Sequence, residues 1–227
     1  MTVFGLVGIG MVVGVLAGAI VASVSKWLPL SLQRQWRIDA HEFLELPYEP
    51  SPSVEFKNQL RDLKSLRFLI IEVLCAFVGA LLFVSLGLSF ETVVYLVLFF
   101  ALIIIAVIDF ETMYIPDLIT MPLLWAGILF YALTAPDQLQ WHILGAAAGY
   151  ASLRWLPVGQ GDAKLCAVAG AWVGLEQLLN FFMIGAPLGV LVGGVYYFLR
   201  GKSAPCPYGP SLVTALLATV MMQLVSR

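Results

Sequence analysis

The stretch TVVYLVLFFALIIIAVID (92–109) decides the fold class. Residues 92–108 carry no charge and no helix breaker, and an aspartate then closes the run. A bilayer core is crossed by about 20 apolar residues in helical conformation. A run this apolar, with neither the polar alternation of a half-buried strand nor the polar face of a surface helix, reads as a membrane span. The rest of the chain agrees with it. Of 227 residues 61% are hydrophobic and only 11% charged, with a mean hydropathy of +0.94. Soluble domains are about half apolar and a quarter charged. The composition therefore excludes an ordinary soluble enzyme, a disordered chain and a disulfide scaffold. A net charge of −2 gives no reason to expect a nucleic-acid partner. The three cysteines, Cys75, Cys166 and Cys206, form no CxxC pair, so neither structural zinc nor any other metal site is expected.

Charges punctuate the chain, and the gaps between them mark about eight spans: 3–24, 68–86, 92–108, 118–135, 138–153, 163–175, 178–199 and 211–225. The first lacks a basic leader region and reads as a retained anchor. The fold class is an all-α integral membrane protein, with a first transmembrane helix (1–25), a small cytoplasmic insertion (26–66) and a multi-span core (67–227). The insertion mixes basic and acidic residues around the breaker LPYEPSPS (46–53), which suggests two short amphipathic helices. It serves either as a connector or as a docking element.

Orientation follows from Lys and Arg. Lys26, Arg34, Arg37, Lys57, Arg61, Lys64 and Arg67 all fall between the first two spans. With that segment in the cytoplasm, eight spans bring Arg154, Lys164, Arg200 and Lys202 to the same side, and only Arg227 lies outside. Both termini are then extracytoplasmic. The same threading puts Asp109 and Asp162 at one depth, at the cytoplasmic ends of two different spans. Carboxylates at a membrane are costly and call for an explanation. Two that meet at one depth can share a proton, one acting as acid and the other as base. An aspartyl protease needs that division: the ionised carboxylate activates water and the acid protonates the carbonyl oxygen. The pattern alone leaves two interfacial aspartates as the alternative. Gly159 and Gly161 precede Asp162, where glycine allows close backbone approach by an extended peptide; a plain turn with Asp162 as helix cap is the other reading.

At the level of motifs, the chain resembles a known family. IDFETMYIPDLITMPL (108–123) is similar to the first aspartate signature of the bacterial type IV prepilin peptidases, and GQGDAKLCAVAGAWVG (159–174) to their GxGD motif and the glycine-rich helix after it. PYGP (207–210), GAIVASVSKWLP (18–29) and LRFLIIE (66–72) resemble three further boxes, in family order. The resemblance implies a GxGD-type membrane aspartyl protease with Asp109 and Asp162 as the catalytic pair. It implies cleavage of the short basic leader of prepilins or pseudopilins, clients of type IV pilus or type II secretion systems, at the cytoplasmic face of the bacterial inner membrane. It also implies N-methylation of the new terminus with S-adenosylmethionine. Two departures bear on this. Residues 26–66 hold none of the family's zinc-binding cysteines, and Ala22 stands where the family has Asn, in the region linked to methyl transfer.

Around the pair, the substrate-binding candidates are Gly159, Gly161, Lys164, Glu72 and Asp117. Lys164 is either a substrate contact or a positive-inside anchor. Asp117 is expected chiefly to cap the fourth span. Glu72 is a candidate for the client's free amine or the methyl donor, with a paired structural acid as the alternative. His142 is read as interfacial, and Trp125, Trp141, Trp155 and Trp172 as interface or packing aromatics. Lipid and the client are the expected partners; oligomeric state is left open. Two rival readings are a small proton-coupled transporter and a non-enzymatic assembly subunit. A transporter favours acids near the midplane and an inverted repeat, and neither is visible.

Overall fold

The computed structural model describes residues 2–47, 65–156, 159–200 and 206–226. All regular structure among them is helical: α1 (Val3–Phe43), α2 (Leu66–Leu86), α3 (Phe90–Thr112), α4 (Asp117–Thr134), a single 3-10 turn at Pro136–Gln138, α5 (Leu139–Arg154), α6 (Gln160–Arg200) and α7 (Gly209–Val225). Among the described residues α1, α2, α3, α4 and α6 are long and apolar enough to cross a membrane, and α7 is a shorter apolar helix. The protein is thus an all-α, multi-pass membrane protein. It divides within α3 into two compact units, residues 1–104 and 105–227.

The first unit is built on α1 and α2. Gly10, Gly14 and Gly18 of α1 face Ala80, Ala76 and Glu72 of α2 in reverse order, so the helices run antiparallel. Lipid tails are as apolar as leucine, so helices in a bilayer associate through close packing of small residues. A side chain at Gly14 would collide with the backbone of Cys75 and Ala76. Arg67, at the start of α2, donates to Ala22 O and Ser25 Oγ, both at 2.9 Å.

Here the sequence reading needs correction. α1 does not stop at residue 25; it continues through Pro29 to Phe43. Charges mark where a span leaves the membrane, not where a helix ends. Residues 30–43 are mostly good helix formers, and Gln35 bonds Asp39 one turn on at 2.8 Å. The expected breaker from residue 48 on, and the insertion from there through residue 64, lie outside the described residues.

The second unit holds the end of α3 and everything after it. α6 contains one non-helical residue, Gly174 (φ 76, ψ 169), a conformation open essentially to glycine. There the helix reverses. Its first arm runs alongside α7: Asp162 shares a cavity with Tyr208 and Ser211 at the α7 start, and Val173 O accepts from Gln223 Nε2 near the α7 end at 2.9 Å. Its second arm runs back, with Gly185 against Ala215, Gly189 against Ser211 and Gly193 against Cys206. These arms correspond to the expected sixth and seventh spans, so the described residues form eight helical segments. α5 packs antiparallel on the first arm, with Gly145 against Gly170 and Gly149 against Cys166. Trp172, 2% exposed, locks the first arm to α4 by donating from Nε1 to Leu123 O at 2.9 Å.

His142, read as interfacial, lies at the end of the second unit away from the aspartates, beside Asp137, Gln138 and Glu176. It is buried beside the Gly174 turn, stacked on Tyr131 with ring centroids 3.3 Å apart, and its Nδ1 lies 2.9 Å from Ala171 O. An imidazole with a polar partner and an aromatic face is stable inside the bundle. Trp125 and Trp155 are exposed.

Candidate active site

Asp109 and Asp162 come together at one end of the second unit. Asp109 lies in the last turn of α3 and Asp162 in the first turn of α6. They are 5% and 8% exposed. The carboxyls lie within electrostatic reach of each other and both stand in the wall of one cavity of about 290 Å³.

Each carboxyl is held by backbone and crowded by a glycine. Gly209 opens α7, and its N–H donates to Asp109 Oδ2 at 2.8 Å. The first N–H groups of a helix have no partner within the helix and point outward, so they suit a carboxylate. Pro210 follows at a position that needs no N–H of its own. A Cβ at Gly209 would stand 2.7 Å from Asp109 Oδ2 and 2.9 Å from its Cγ. On the other side, Asp162 takes a backbone hydrogen bond from Gly159, three residues before it. This is the reach-back of an acidic side chain at the third helical position. A Cβ at Gly159 would lie 2.9 Å from Asp162 Oδ2. The two glycines therefore leave room for the carboxyls themselves.

The other expected residues divide. Gly161 meets Ile115, whose Cβ is 2.9 Å from where a side chain would begin. It lets the loop before α4 close on α6. Asp117 does not cap α4: Pro116 holds the cap position without a side-chain hydrogen bond. The Asp117 Oδ2 is 2.5 Å from Lys164 Nζ instead, in an ion pair between the two aspartate motifs. The pairing is possible because α4 and the first arm of α6 start at the same end. Exposed pairs of this kind contribute about 0.2–1 kcal/mol. Lys164 is thus paired with Asp117 in this structure. Glu72 belongs to the first unit, where its Cα faces Gly18.

Four residues enter the site that pattern reading did not single out. Gly209 sits in the PYGP box, which the sequence marked without a role. Met113 closes α3 at a left-handed φ of 56°, its N–H bonding Asp109 O at 2.8 Å. A non-glycine residue in that region stores strain, and such positions cluster at functional sites. Tyr114 lines the same cavity as the aspartates; burial and the charge of Asp117 push its hydroxyl up, so it stays a donor at neutral pH. Cys206 lines an adjoining cavity, and burial followed by the negative Asp109 and Asp162 pushes its thiol up. Among the described residues no three His, Cys, Asp or Glu side chains are grouped to hold a metal ion.

The stretch that carries both carboxyls also matches a known family in sequence. Residues 96–194, from mid-α3 through both aspartates, match the type IV leader peptidase family. A prepilin leader peptidase/N-methyltransferase of Stutzerimonas stutzeri is 26% identical over 90% of this chain and 86% of its own length. One of Neisseria gonorrhoeae is 28% identical over 92% and 88%. One of Aeromonas hydrophila is 34% identical over 66% and 57%. The chain is a homologue of the type IV leader peptidases. It is accordingly an enzyme, and its named homologues are prepilin leader peptidases/N-methyltransferases. No solved structure matches the chain.

Proposed function

We propose that this peptidase homologue is an aspartyl endopeptidase, with Asp109 and Asp162 as its catalytic pair, that removes the short basic leader of type IV prepilins or pseudopilins. The observation that carries the reading is the meeting of two buried carboxyls, from motifs 53 positions apart, at one cavity. The pair titrates as a unit holding one proton. The ionised member takes a proton from water, and the water oxygen attacks the scissile carbonyl carbon. The protonated member gives its proton to the carbonyl oxygen. The tetrahedral intermediate then collapses, the C–N bond breaks, and a proton passes to the leaving amine. Gly209 N–H and the Gly159 backbone fix the orientation of the carboxyls during these transfers.

The site faces the cytoplasm of the bacterial inner membrane in this proposal. Lys164 and Arg154 lie at the same end of the second unit as the aspartates, and the Lys/Arg excess of cytoplasmic segments supports that orientation. Lipid surrounds the apolar faces, and the client is itself anchored by an apolar helix. A transporter reading loses force because the acids sit at one end of their helices rather than at mid-depth.

The relatives' names also carry N-methylation, a reaction that S-adenosylmethionine supplies with its methyl group. The boxes linked to it by resemblance are engaged with each other in this chain. Gly18 abuts Glu72, and Ala22 and Ser25 accept from Arg67. These contacts pack α1 on α2 and do not fit a ready donor cradle, so proteolysis is the function proposed and no methyl-transfer step is derived.

Co-expression with a prepilin, followed by mass spectrometry of the client's N-terminus, tests the proposal. We expect loss of the basic leader with the intact chain and an unprocessed client with Asp109→Asn or Asp162→Asn. Processing that persists in either variant would reject the pair.

A further inference from the structure

Asp162 stands in the walls of two cavities that differ in charge. One is the polar cavity of about 290 Å³, which also holds Asp109, Asp117, Lys164 and Tyr114. The other is larger, about 560 Å³, and is walled by Phe182, Gly185, Gly189, Gly193 and Leu212, with Cys206 at the Asp162 end. Asp162 is the single acidic or basic side chain lining it among the described residues. This second cavity follows the returning arm of α6. Gly193 packs beside Cys206 and Tyr208, just before α7, whereas Gly185 packs beside Ala215, further along α7 toward the Gly174 turn. From Gly193 to Phe182 the wall is roughly 16 Å long at 1.5 Å per residue, so the cavity leads from the carboxyl into the depth of the bundle.

The geometry points to a fixed direction for the substrate across Asp162: the leader side of the scissile bond in the polar cavity, and the first apolar residues of the mature chain in the large cavity, where Gly193 and Gly189 set the size of the residue after the cut. This rests on the proposed peptidase reading. Charge separates the two ends. Three carboxyls, two of them sharing one proton, and one ammonium leave the polar cavity a negative balance that attracts a basic leader. A mostly apolar wall, with tyrosines and Ser211 but no charge other than Asp162, holds a charged leader only at a desolvation cost, but it accepts an uncharged apolar segment. The volume lies within the range of a site for a substrate segment of a few residues. The small side chains along the returning arm are the reason the space exists. A methyl at Gly193 would stand 3.8 Å from Cys206 Sγ and 3.9 Å from Tyr208 Oη, in ordinary contact. Glycine is therefore not required there by backbone packing, and a larger residue projects into the cavity.

The test uses the full chain in detergent with client variants bearing Phe or Ala immediately after the scissile bond, and a second set varied immediately before it. We expect Gly193→Leu to lower the Phe:Ala ratio of kcat/KM at least 10-fold, Gly193→Ala to lower it less, and neither to change selectivity before the bond. A ratio unchanged in both variants, or a change confined to the residue before the bond, overturns the assignment. A second measurement does not depend on turnover. In Asp162→Asn, a bis-maleimide is offered to Cys206 and to a client with one cysteine placed two residues after or two residues before the bond. We expect the cross-link from the position after; an equal or greater yield from the position before overturns the direction. A wild-type chain that cleaves no client overturns the peptidase reading, a result distinct from cleavage without the selectivity change.

Discussion

Substituting Gly209 by Ala probes the site without touching a titratable group. The methyl carbon would lie 2.7 Å from Asp109 Oδ2, 2.9 Å from Cβ and 2.9 Å from Cγ. The whole carboxyl must move, since no flexible tip is available to give way. It then leaves the Gly209 N–H, now at 2.8 Å. A hydrogen bond to a charged group contributes about 1.5–3 kcal/mol, and each 1.36 kcal/mol is a factor of ten in rate, so kcat should fall roughly 10- to 150-fold. Folding should survive, because Ala exceeds Gly in helix propensity by about 1 kcal/mol. The assay is the rate of leader removal from a detergent-solubilised client, with protein level and thermal midpoint measured alongside. Gly8→Ala is the matched control, since nothing lies within 4 Å of a Cβ there. A Gly209→Ala enzyme within twofold of the parent rate would refute the claim that Gly209 seats Asp109.

Other perturbations read different parts of the structure. The double variant Asp109→Asn/Asp162→Asn should speed maleimide labelling of Cys206 at fixed pH more than either single variant: burial and then the negative pair hold the thiol up, and only the double variant removes the last charge of a pair that shares one proton, so unchanged labelling in it would contradict the placement. Lys164→Gln should lower stability by no more than about 1 kcal/mol, because the ion pair with Asp117 is exposed; a larger drop in thermal midpoint would show a deeper role. Trp172→Phe removes the indole donor to the Leu123 carbonyl, which keeps its place in the helical ladder, and should cost about 0.5–1.5 kcal/mol, seen as a lower denaturation midpoint. Gly174→Ala forces a methyl into a glycine-only conformation and should cost about 1–3 kcal/mol by the same measure, with reduced accumulation in the membrane.

The helical architecture was legible because the spans are long apolar runs, interrupted only by Glu72 and Lys164, and each break carries charge, glycine or proline. The reversal between the sixth and seventh spans falls at Gly174, one residue inside the end expected at residue 175, for the physical reason that only glycine turns a helix back at a single residue. The joint position of Asp109 and Asp162 was readable from the Lys and Arg distribution, since charge bias reports depth even where it reports no contact. The continuation of α1 past Lys26 was not readable, because a helix leaving the membrane changes its solvent and keeps its backbone. Nor was the pairing of Asp117 with Lys164, or the seat that Gly209 gives Asp109. The latter bond links residues 100 positions apart, and no local period encodes such a contact.

Leader-cleavage rates of four proteins, the parent, Asp109→Asn, Asp162→Asn and the double variant, test the shared-proton pair most directly. Residues that act as one unit are strongly non-additive. We expect each single substitution to abolish cleavage of a membrane-embedded client and the double to be no worse. A single variant that retains a tenth or more of the parent rate, or losses that multiply independently, would contradict it.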